Sequence, residues 1–234
     1  MTRLGHFLFR YRNALFPCAF VLVFLPGRHL FADARMALGV GALLALLGEA
    51  VRMLTIGLEY IIRGGRNRRV YAGDLVTEGL YAHCRNPMYV GNLLLLAGIA
   101  VASNSWTCLA AAVPLFTFFY MCIVAAEEEF LRAKFGAAYH AYARDVPRWQ
   151  VQWQGMGTTL RSATFHWRRV LMKEYGTACA LIGGLCLLGL VRVHQSAGVH
   201  AHDYRVFFET MLAVTVVAWL LACGLKRSHV IVAD

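Results

Sequence analysis

The sequence predicts an all-α integral membrane protein with about six transmembrane helices. Of its 234 residues, 59% are hydrophobic and only 15% are charged, a composition that is unusual for a water-soluble domain. The apolar residues gather in runs close to the length of about 20 residues that a helix needs to cross a bilayer. Basic residues gather in alternate connections between these runs, as they do in membrane proteins.

Six apolar runs mark the predicted spans. They cover residues 13–27, 36–62, 88–103, 106–126, 175–193 and 206–225. Only Ser103, Asn104 and Ser105 separate the third run from the fourth, so these two spans are expected to form a tight helical hairpin. Pro114 lies inside the fourth run and is expected to kink its helix.

Ionisable residues make the second run unusual. Glu49, Arg52 and Glu59 lie inside or near its hydrocarbon portion, where charged groups are costly unless they are paired or face a polar cavity. Glu49 and Arg52 are three residues apart and share a helix face, so they either neutralise each other or line a site. Small residues that allow a neighbouring helix to approach closely are present at Gly39, Gly41 and Gly48.

A helix that lies on the membrane surface is predicted after the fourth run. Its apolar stripe has helical spacing and consists of Leu131, Phe135, Ala138, Tyr139 and Tyr142. The whole chain is predicted to be one membrane domain, residues 1–234, with nearly every motif in a central block at residues 63–153. The last two runs look like plain lipid-facing helices and form a C-terminal pair of accessory spans within residues 165–234.

The positive charge of the chain indicates its orientation. In a six-span arrangement, most of the 23 lysines and arginines fall in the segments on the side of the N-terminus, which predicts that both termini and the central motifs face the cytoplasm. The net charge of +10 then reflects topology and attraction to anionic lipid head groups, so membrane lipids are expected partners and nucleic acid is not. A bacterial inner membrane or an endoplasmic-reticulum-like membrane fits this orientation.

Metal and disulfide chemistry have little support in the sequence. The seven cysteines include no C-x-x-C pair and mostly lie in apolar runs, where a thiol behaves as a small hydrophobic group. His200 and His202 are explained by a short polar loop. We therefore expect no disulfide and no metal site.

Two polar segments are expected to meet at one end of the third and fourth spans. The first is "YAHCRNPMYVGN", residues 81–92, and the second is the acidic run Glu127–Glu129. Pro87 suits the first turn of a helix because it lacks an N–H that this turn does not need, which places Asn86 at the N-cap. A helix N-terminus attracts an anion and acids attract a cation, so the pair suits a zwitterionic ligand. S-adenosylmethionine is one ligand of this description.

The same segments carry a family resemblance. The stretch "LVTEGLY", then "RNPMYVG", and later "EEEFLRAKFGAAYHAYARDVPRW" resemble, in this order, motifs of the isoprenylcysteine carboxyl methyltransferase family and its phospholipid N-methyltransferase relatives. The resemblance covers residues 66–149, with a weaker echo at residues 48–57. It implies an enzyme that transfers a methyl group from S-adenosylmethionine to a lipid-like or prenylated acceptor in the membrane. The methylated group would be a carboxylate, a thiol or an amine, and residues 63–153 would be the cofactor-binding catalytic core.

The resemblance also implies the residues of the site. Cofactor contacts would be made by Asp74, Leu75, Val76, Tyr81, Asn86, Pro87, Met88, Tyr89 and Glu127. Catalytic functions would fall to Arg85, Asn86 and Glu128. Arg85 would meet an anionic group of the substrate or cofactor, and Glu128 would complete the acid pair.

The sequence departs from the family pattern in ways that leave the acceptor open. Asn86 stands where many members have histidine. Ile123 stands where the eukaryotic prenylcysteine enzymes have an arginine that helps to bind the substrate carboxylate. The two C-terminal spans are absent from minimal members of the family.

Two other functions stay open on the sequence. Membrane sterol reductases resemble this fold and use a reduced nicotinamide cofactor, NADPH, in a related pocket, and an additional phosphate would suit Arg66, Arg68 and Arg69. The chain would alternatively be a non-catalytic membrane scaffold that has kept the helical pocket. The sequence does not predict an oligomeric state.

Overall fold

The computed structural model describes residues 1–59, 70–194 and 201–227. Over these residues the chain consists of helices joined by turns and loops, without strands. The helices are α1 (Thr2–Ala19), α2 (Ala34–Leu58), α3 (Pro87–Ala102), α4 (Trp106–Phe135), α5 (Ala137–Asp145), α6 (Met156–Ser162), α7 (Trp167–His194) and α8 (Ala201–Arg227), with short 3-10 helices at Phe20–Phe24 and Gly79–Ala82. The prediction of an all-α protein is confirmed.

Four of the described helices, α2, α4, α7 and α8, are long and apolar enough to cross a membrane. Helix α3 is also apolar but has only 16 residues, which corresponds to about 24 Å at 1.5 Å per residue. The prediction of an integral membrane protein is therefore confirmed for the part of the chain that the structure describes.

The first predicted span has the wrong bounds. Helix α1 already packs against α4 at its start, because a Cβ added to Gly5 would collide with the carbonyl group of Cys122. The segment reaches the other end of α4 at Leu25, whose carbonyl accepts a hydrogen bond of 2.9 Å from Ser105 Oγ. The N-terminal segment that packs along α4 thus begins near Thr2 rather than at residue 13. The sequence hid this start because the apolar pattern is interrupted by Arg3, Arg10 and Arg12.

The predicted hairpin between α3 and α4 is confirmed. Asn104 takes the left-handed backbone conformation with φ +50°, which a tight reversal needs and which asparagine tolerates. Ser105 is the N-cap of α4, and its side chain accepts a hydrogen bond of 3.2 Å from Cys108 N. Asn104 Oδ1 also accepts hydrogen bonds of 3.0 and 2.9 Å from the backbone of Leu30 and Phe31. The hairpin is thereby fastened to the segment that leads into α2.

The predicted surface helix is divided in two. Leu131 and Phe135 belong to α4, which continues past the acidic run, and only the residues from Ala137 onward belong to α5. Gly136 separates the two helices with φ +52°, a backbone conformation that favours glycine and commonly ends helices. Glu127–Glu129 therefore lie inside α4, about two turns before its end.

Helices α2 and α3 touch through their backbones at glycines. A Cβ at Gly41 or Gly98 would collide with backbone atoms of the opposite helix, and Gly48 faces Gly91 in the same way. The predicted close approach is confirmed at Gly41 and Gly48. Gly39 has no atom of a neighbouring helix within 4 Å of an added Cβ, so its predicted role is wrong.

We expect Gly98→Ala to destabilise the protein by about 1–3 kcal/mol, because the added methyl group forces α3 away from Ala45 and Gly41. Gly39→Ala is the matched control and is expected to be neutral or slightly stabilising. Thermal unfolding of the purified protein in detergent measures both. Equal melting of Gly98→Ala and the wild type would show that the close approach of α2 and α3 does not determine stability.

The two C-terminal helices differ from each other. Helix α8 packs along α7 and leaves most of its apolar side chains exposed, including Val217, Leu220 and Leu221, as expected for a helix that faces lipid. Helix α7 also packs on α2, and its Glu174 is only 1% exposed and pairs with Arg52. The prediction that both helices merely face lipid is therefore wrong for α7.

Candidate functional site

The first turn of α3 and the acidic run of α4 meet in the structure. Tyr89 Oη donates a hydrogen bond of 2.7 Å to Glu127 Oε1, and the Tyr89 ring lies 5.0 Å from the ring of Tyr120, measured between centroids. Arg12 of α1 is close enough to interact electrostatically with Tyr89 and Glu127. The expected juxtaposition of the two segments is present, with contributions from α1 and from one further tyrosine of α4.

Tyr120 and Arg12 were not predicted from the sequence as part of this site. Tyr120 precedes Glu127 by seven residues and thus lies on the same face of α4, a signal that was available. No comparable signal pointed to Arg12, because the wrong bounds of the first span placed it outside the helices.

Glu128 lies at the centre of a cluster of three arginines. Its carboxylate is 3.2 Å from Arg85 Nη1, 2.9 Å from Arg132 Nη2 and 2.5 Å from Arg148 Nη2, and Arg148 Nε donates a further bond of 2.9 Å. Glu128 is 3% exposed, whereas the side chains of Arg132 and Arg148 are each 46% exposed. With three guanidinium groups around one carboxylate, the cluster has an excess of positive charge and presents it on an accessible surface.

The segment after α5 packs over the loop that precedes α3, which carries Arg85 and Asn86 and is called the motif loop. Arg85 N donates a hydrogen bond of 2.9 Å to Pro147 O, and Asn86 Nδ2 donates one of 3.0 Å to Arg148 O. Asn86 is the N-cap residue of α3, as predicted, but its side chain makes no capping hydrogen bond to the helix. Asn86 therefore fixes the segment that carries Arg148, which in turn holds Glu128.

His83 also joins the motif loop to the segment after α5, and it was not predicted from the sequence as a site residue. Its two ring nitrogens lie 2.8 Å from Gln152 O and 2.8 Å from Thr159 Oγ1. Its backbone carbonyl accepts a bond of 3.0 Å from Gln152 N. The neighbouring Cys84 is buried, and burial raises the pKa of its thiol, which disfavours the reactive thiolate.

The remaining predicted cofactor contacts lie around this loop. Tyr81 is buried, and its carbonyl accepts a hydrogen bond of 2.8 Å from Tyr142 Oη. Lys134 Nζ donates to the carbonyls of Ala72 and Gly73, which ties the loop before Asp74 to the end of α4. Asp74 itself is exposed, and Leu75 and Val76 are half-buried. Within the described part of the chain, Asp74 makes no hydrogen bond to Tyr89 or Glu127.

The start of α3 offers few free backbone donors. Pro87 has no N–H, the N–H of Tyr89 donates to Asn86 O over 3.1 Å, and Met88 is only 8% exposed. For an anionic group near Tyr89 and Glu127, the arginine cluster is therefore a stronger partner than the helix N-terminus.

A cavity of about 290 Å³ is lined by residues 165–169 at the start of α7. Among the described residues, no three His, Cys, Asp or Glu side chains are grouped closely enough to hold a metal ion. His200 and the three arginines considered for NADPH, Arg66, Arg68 and Arg69, lie outside the described residues.

Comparison with known proteins gives one family match and several relatives. Residues 36–138 match the phospholipid methyltransferase family. The chain is 32% identical over 149 residues to the cobalt-zinc-cadmium resistance protein CzcN of Cupriavidus metallidurans, covering 62% of this chain and 65% of that protein. It is 34% identical over 136 residues to protein-S-isoprenylcysteine O-methyltransferase B of Arabidopsis thaliana, covering 54% of this chain and 64% of that protein.

A further relative is the nickel-cobalt-cadmium resistance protein NccN of Alcaligenes xylosoxydans xylosoxydans, 30% identical over 106 residues, which are 45% of this chain and 48% of that protein. The matches thus span less than two thirds of the length of each of these relatives. No solved structure gives a significant match. The family match includes the residues that build the site, and together with the isoprenylcysteine methyltransferase relatives it supports a resemblance of this chain to the integral membrane methyltransferases.

Proposed function

We propose that the protein transfers a methyl group from S-adenosylmethionine to a lipid-like or prenylated acceptor embedded in the membrane. The hydrogen bond between Tyr89 and Glu127 is the observation that carries the proposal, because it joins two segments that are distant in sequence and that both resemble the methyltransferase motifs. We further propose that this end of the helix bundle faces the cytoplasm, in agreement with the distribution of basic residues.

The donor set fits S-adenosylmethionine, which carries an ammonium and a carboxylate at one end. Glu127 provides a carboxylate for the ammonium group. The adjacent Glu128 is neutralised by three arginines, of which Arg132 and Arg148 are partly exposed and suit the carboxylate. A carboxylate and several guanidinium groups thus lie side by side on α4 and the segments packed against it. A zwitterionic ligand can form ion pairs with both.

Each residue then has a defined task. When bound, S-adenosylmethionine supplies an electrophilic methyl group on a sulfonium centre. Glu127 and the arginine cluster orient the ligand, and Tyr89 and Tyr120 form an aromatic wall that helps to exclude water. Holding both reactants in near-attack geometry accounts for most of the acceleration. A carboxylate or thiolate acceptor needs no general base, whereas an ammonium acceptor must first lose a proton.

The acceptor is proposed only as a class. Some relatives are named for isoprenylcysteine O-methylation and others for metal resistance, so their names do not agree on a substrate. Ile123, at the position of the carboxylate-binding arginine of the eukaryotic enzymes, is fully buried in a core with Leu8 and Phe9. A different residue must therefore meet the polar group of the acceptor, and a lipid amine, thiol or carboxylate all suit the proposal.

Thermal unfolding in detergent with candidate ligands tests the function. A ligand that binds only the native state stabilises it by about 2.7 kcal/mol at one hundred times its dissociation constant, so S-adenosylhomocysteine is expected to raise the melting temperature by several degrees. A rise with NADPH alone would instead support the reductase. No rise with either ligand would refute donor binding and support a non-catalytic scaffold.

A further inference from the structure

A buried ionic cluster joins α2 to α7 beneath the candidate site. Arg52 is 7% exposed, Glu49 is 4% exposed and Glu174 is 1% exposed. Arg52 Nε donates a hydrogen bond of 2.8 Å to Glu174 Oε1 and lies 3.5 Å from Glu49 Oε2. Arg52 Nη2 also contacts Glu174 and lies 3.2 Å from Thr177 Oγ1 on α7.

Charge balance does not explain why Glu174 belongs to this cluster. Glu49 lies on the same helix as Arg52 and already supplies one carboxylate for one guanidinium. Burying a second carboxylate in a membrane-spanning helix is costly, and apolar side chains commonly join helices at least as well as a buried ion pair does. Neutralising Arg52 is therefore not a sufficient reason for Glu174 to be buried here, whereas holding its guanidinium group in one position would be.

Arg52 connects this cluster to the candidate site. Its Nη1 bonds Asn92 Oδ1, and its side chain crosses α3 at Gly91, where a Cβ would lie 2.7 Å from Arg52 Cγ. Asn92 follows Tyr89 by three residues and shares its helix face.

The connection continues into α4. The side chain of Asn92 lies close enough to the hydroxyl group of Tyr120 to interact with it, and the Tyr120 ring packs against Tyr89. Tyr89 in turn donates to Glu127. A continuous series of contacts thus runs from α7 through α2 and α3 to the carboxylate proposed to hold the donor.

We infer that Glu174 is a positioning residue: it fixes the guanidinium of Arg52 so that Asn92 and Tyr120 hold Tyr89 against Glu127. Helix α7 is then a supporting part of the site rather than an accessory span. The effect on donor affinity rests on the proposed function, whereas the effect on α3 does not.

Hydrogen exchange of the full-length protein in lipid nanodiscs tests the inference without a ligand. In Glu174→Gln, amides of residues 87–96 and 116–124 are expected to exchange about tenfold faster, since one buried ionic contact is lost. Exchange elsewhere in α4 and in α8 is expected to stay unchanged. Unchanged exchange in residues 87–96, or a uniform increase across all helices, would overturn the inference.

A matched control comes from α8. Glu209 is a 50% exposed acid that pairs with Arg205 at 2.8 Å, so Glu209→Gln removes the same charge without touching the cluster and is expected to leave α3 exchange unchanged. If Glu174→Gln does not fold, Thr177→Val removes a weaker contact of Arg52 and is expected to give a smaller increase in the same segments. No increase in Thr177→Val would then count against the inference.

Donor binding separates this inference from the proposed function. If S-adenosylhomocysteine binds the wild type, Glu174→Gln is expected to weaken its affinity about tenfold, and Glu174→Asp to recover part of the loss. If the wild type does not bind it, the proposed function fails, while the exchange comparison still decides whether Glu174 positions α3.

Discussion

Replacing Glu127 by glutamine is expected to remove most of the stabilisation by S-adenosylhomocysteine while the free protein stays folded. Glutamine retains the shape of the side chain and still accepts the hydrogen bond from Tyr89, but it no longer offers a negative charge to an ammonium group. Hydrogen bonds to charged groups contribute about 1.5–3 kcal/mol, so affinity should fall by roughly one to two orders of magnitude. Melting temperature as a function of ligand concentration measures the loss.

Two further variants define how this result is interpreted. Glu129→Gln removes the neighbouring carboxylate, which is exposed, and should respond to the ligand as the wild type does. Tyr89→Ala removes the partner of Glu127 and is also expected to lose the response. If Glu127→Gln and Tyr89→Ala both keep an undiminished response, the assignment of the donor site to these residues is wrong.

Replacing Glu128 by glutamine is expected to cause the largest loss of stability. The substitution leaves Arg85, Arg132 and Arg148 facing one another around a neutral side chain. Removing one partner of a buried ion pair costs about 3–5 kcal/mol. Because Arg132 and Arg148 are half exposed and are screened by water, we expect a value near 3 kcal/mol. Denaturant unfolding in detergent measures this difference.

The same experiment distinguishes the roles of the adjacent acids. Glu129→Gln should change the free energy of unfolding by less than about 0.5 kcal/mol, as is usual for an exposed position. The segment after α5 should also become more accessible to protease in Glu128→Gln, since Arg148 loses its partner. A variant that unfolds like the wild type would show that the arginine cluster does not depend on Glu128.

Much of the fold follows from local sequence patterns. The apolar runs predicted α2, α3, α4, α7 and α8, and Asn104 with its serine neighbours predicted the hairpin. The first turn of α3 was also predictable, since Pro87 suits the first turn of a helix and Asn86 then becomes its N-cap. These features depend on residues within one or two turns of one another, so the amino-acid order alone is sufficient to define them.

The errors arose where a local pattern was interrupted by charge. The arginines of α1 concealed its start, and the charges after residue 126 suggested that α4 ends there. In the structure, both helices continue through the charged residues. Helix α1 packs against α4 from its first turn, and α4 ends only at Gly136, which has a positive φ. Charge shows where an apolar pattern stops but does not by itself end a helix.

The sequence by itself determined the helical elements, their membrane character and the two motif segments that resemble the methyltransferases. Only the tertiary structure decided which side chains meet: Glu174 with Arg52, 122 residues apart, Arg148 with Glu128, and Arg12 near Glu127. Such pairs depend on how each helix is rotated about its axis and on how far it is shifted along its neighbours. Rotation and shift are fixed by packing between helices, including the glycine contacts of α2 with α3, and periodicity within one helix does not specify them.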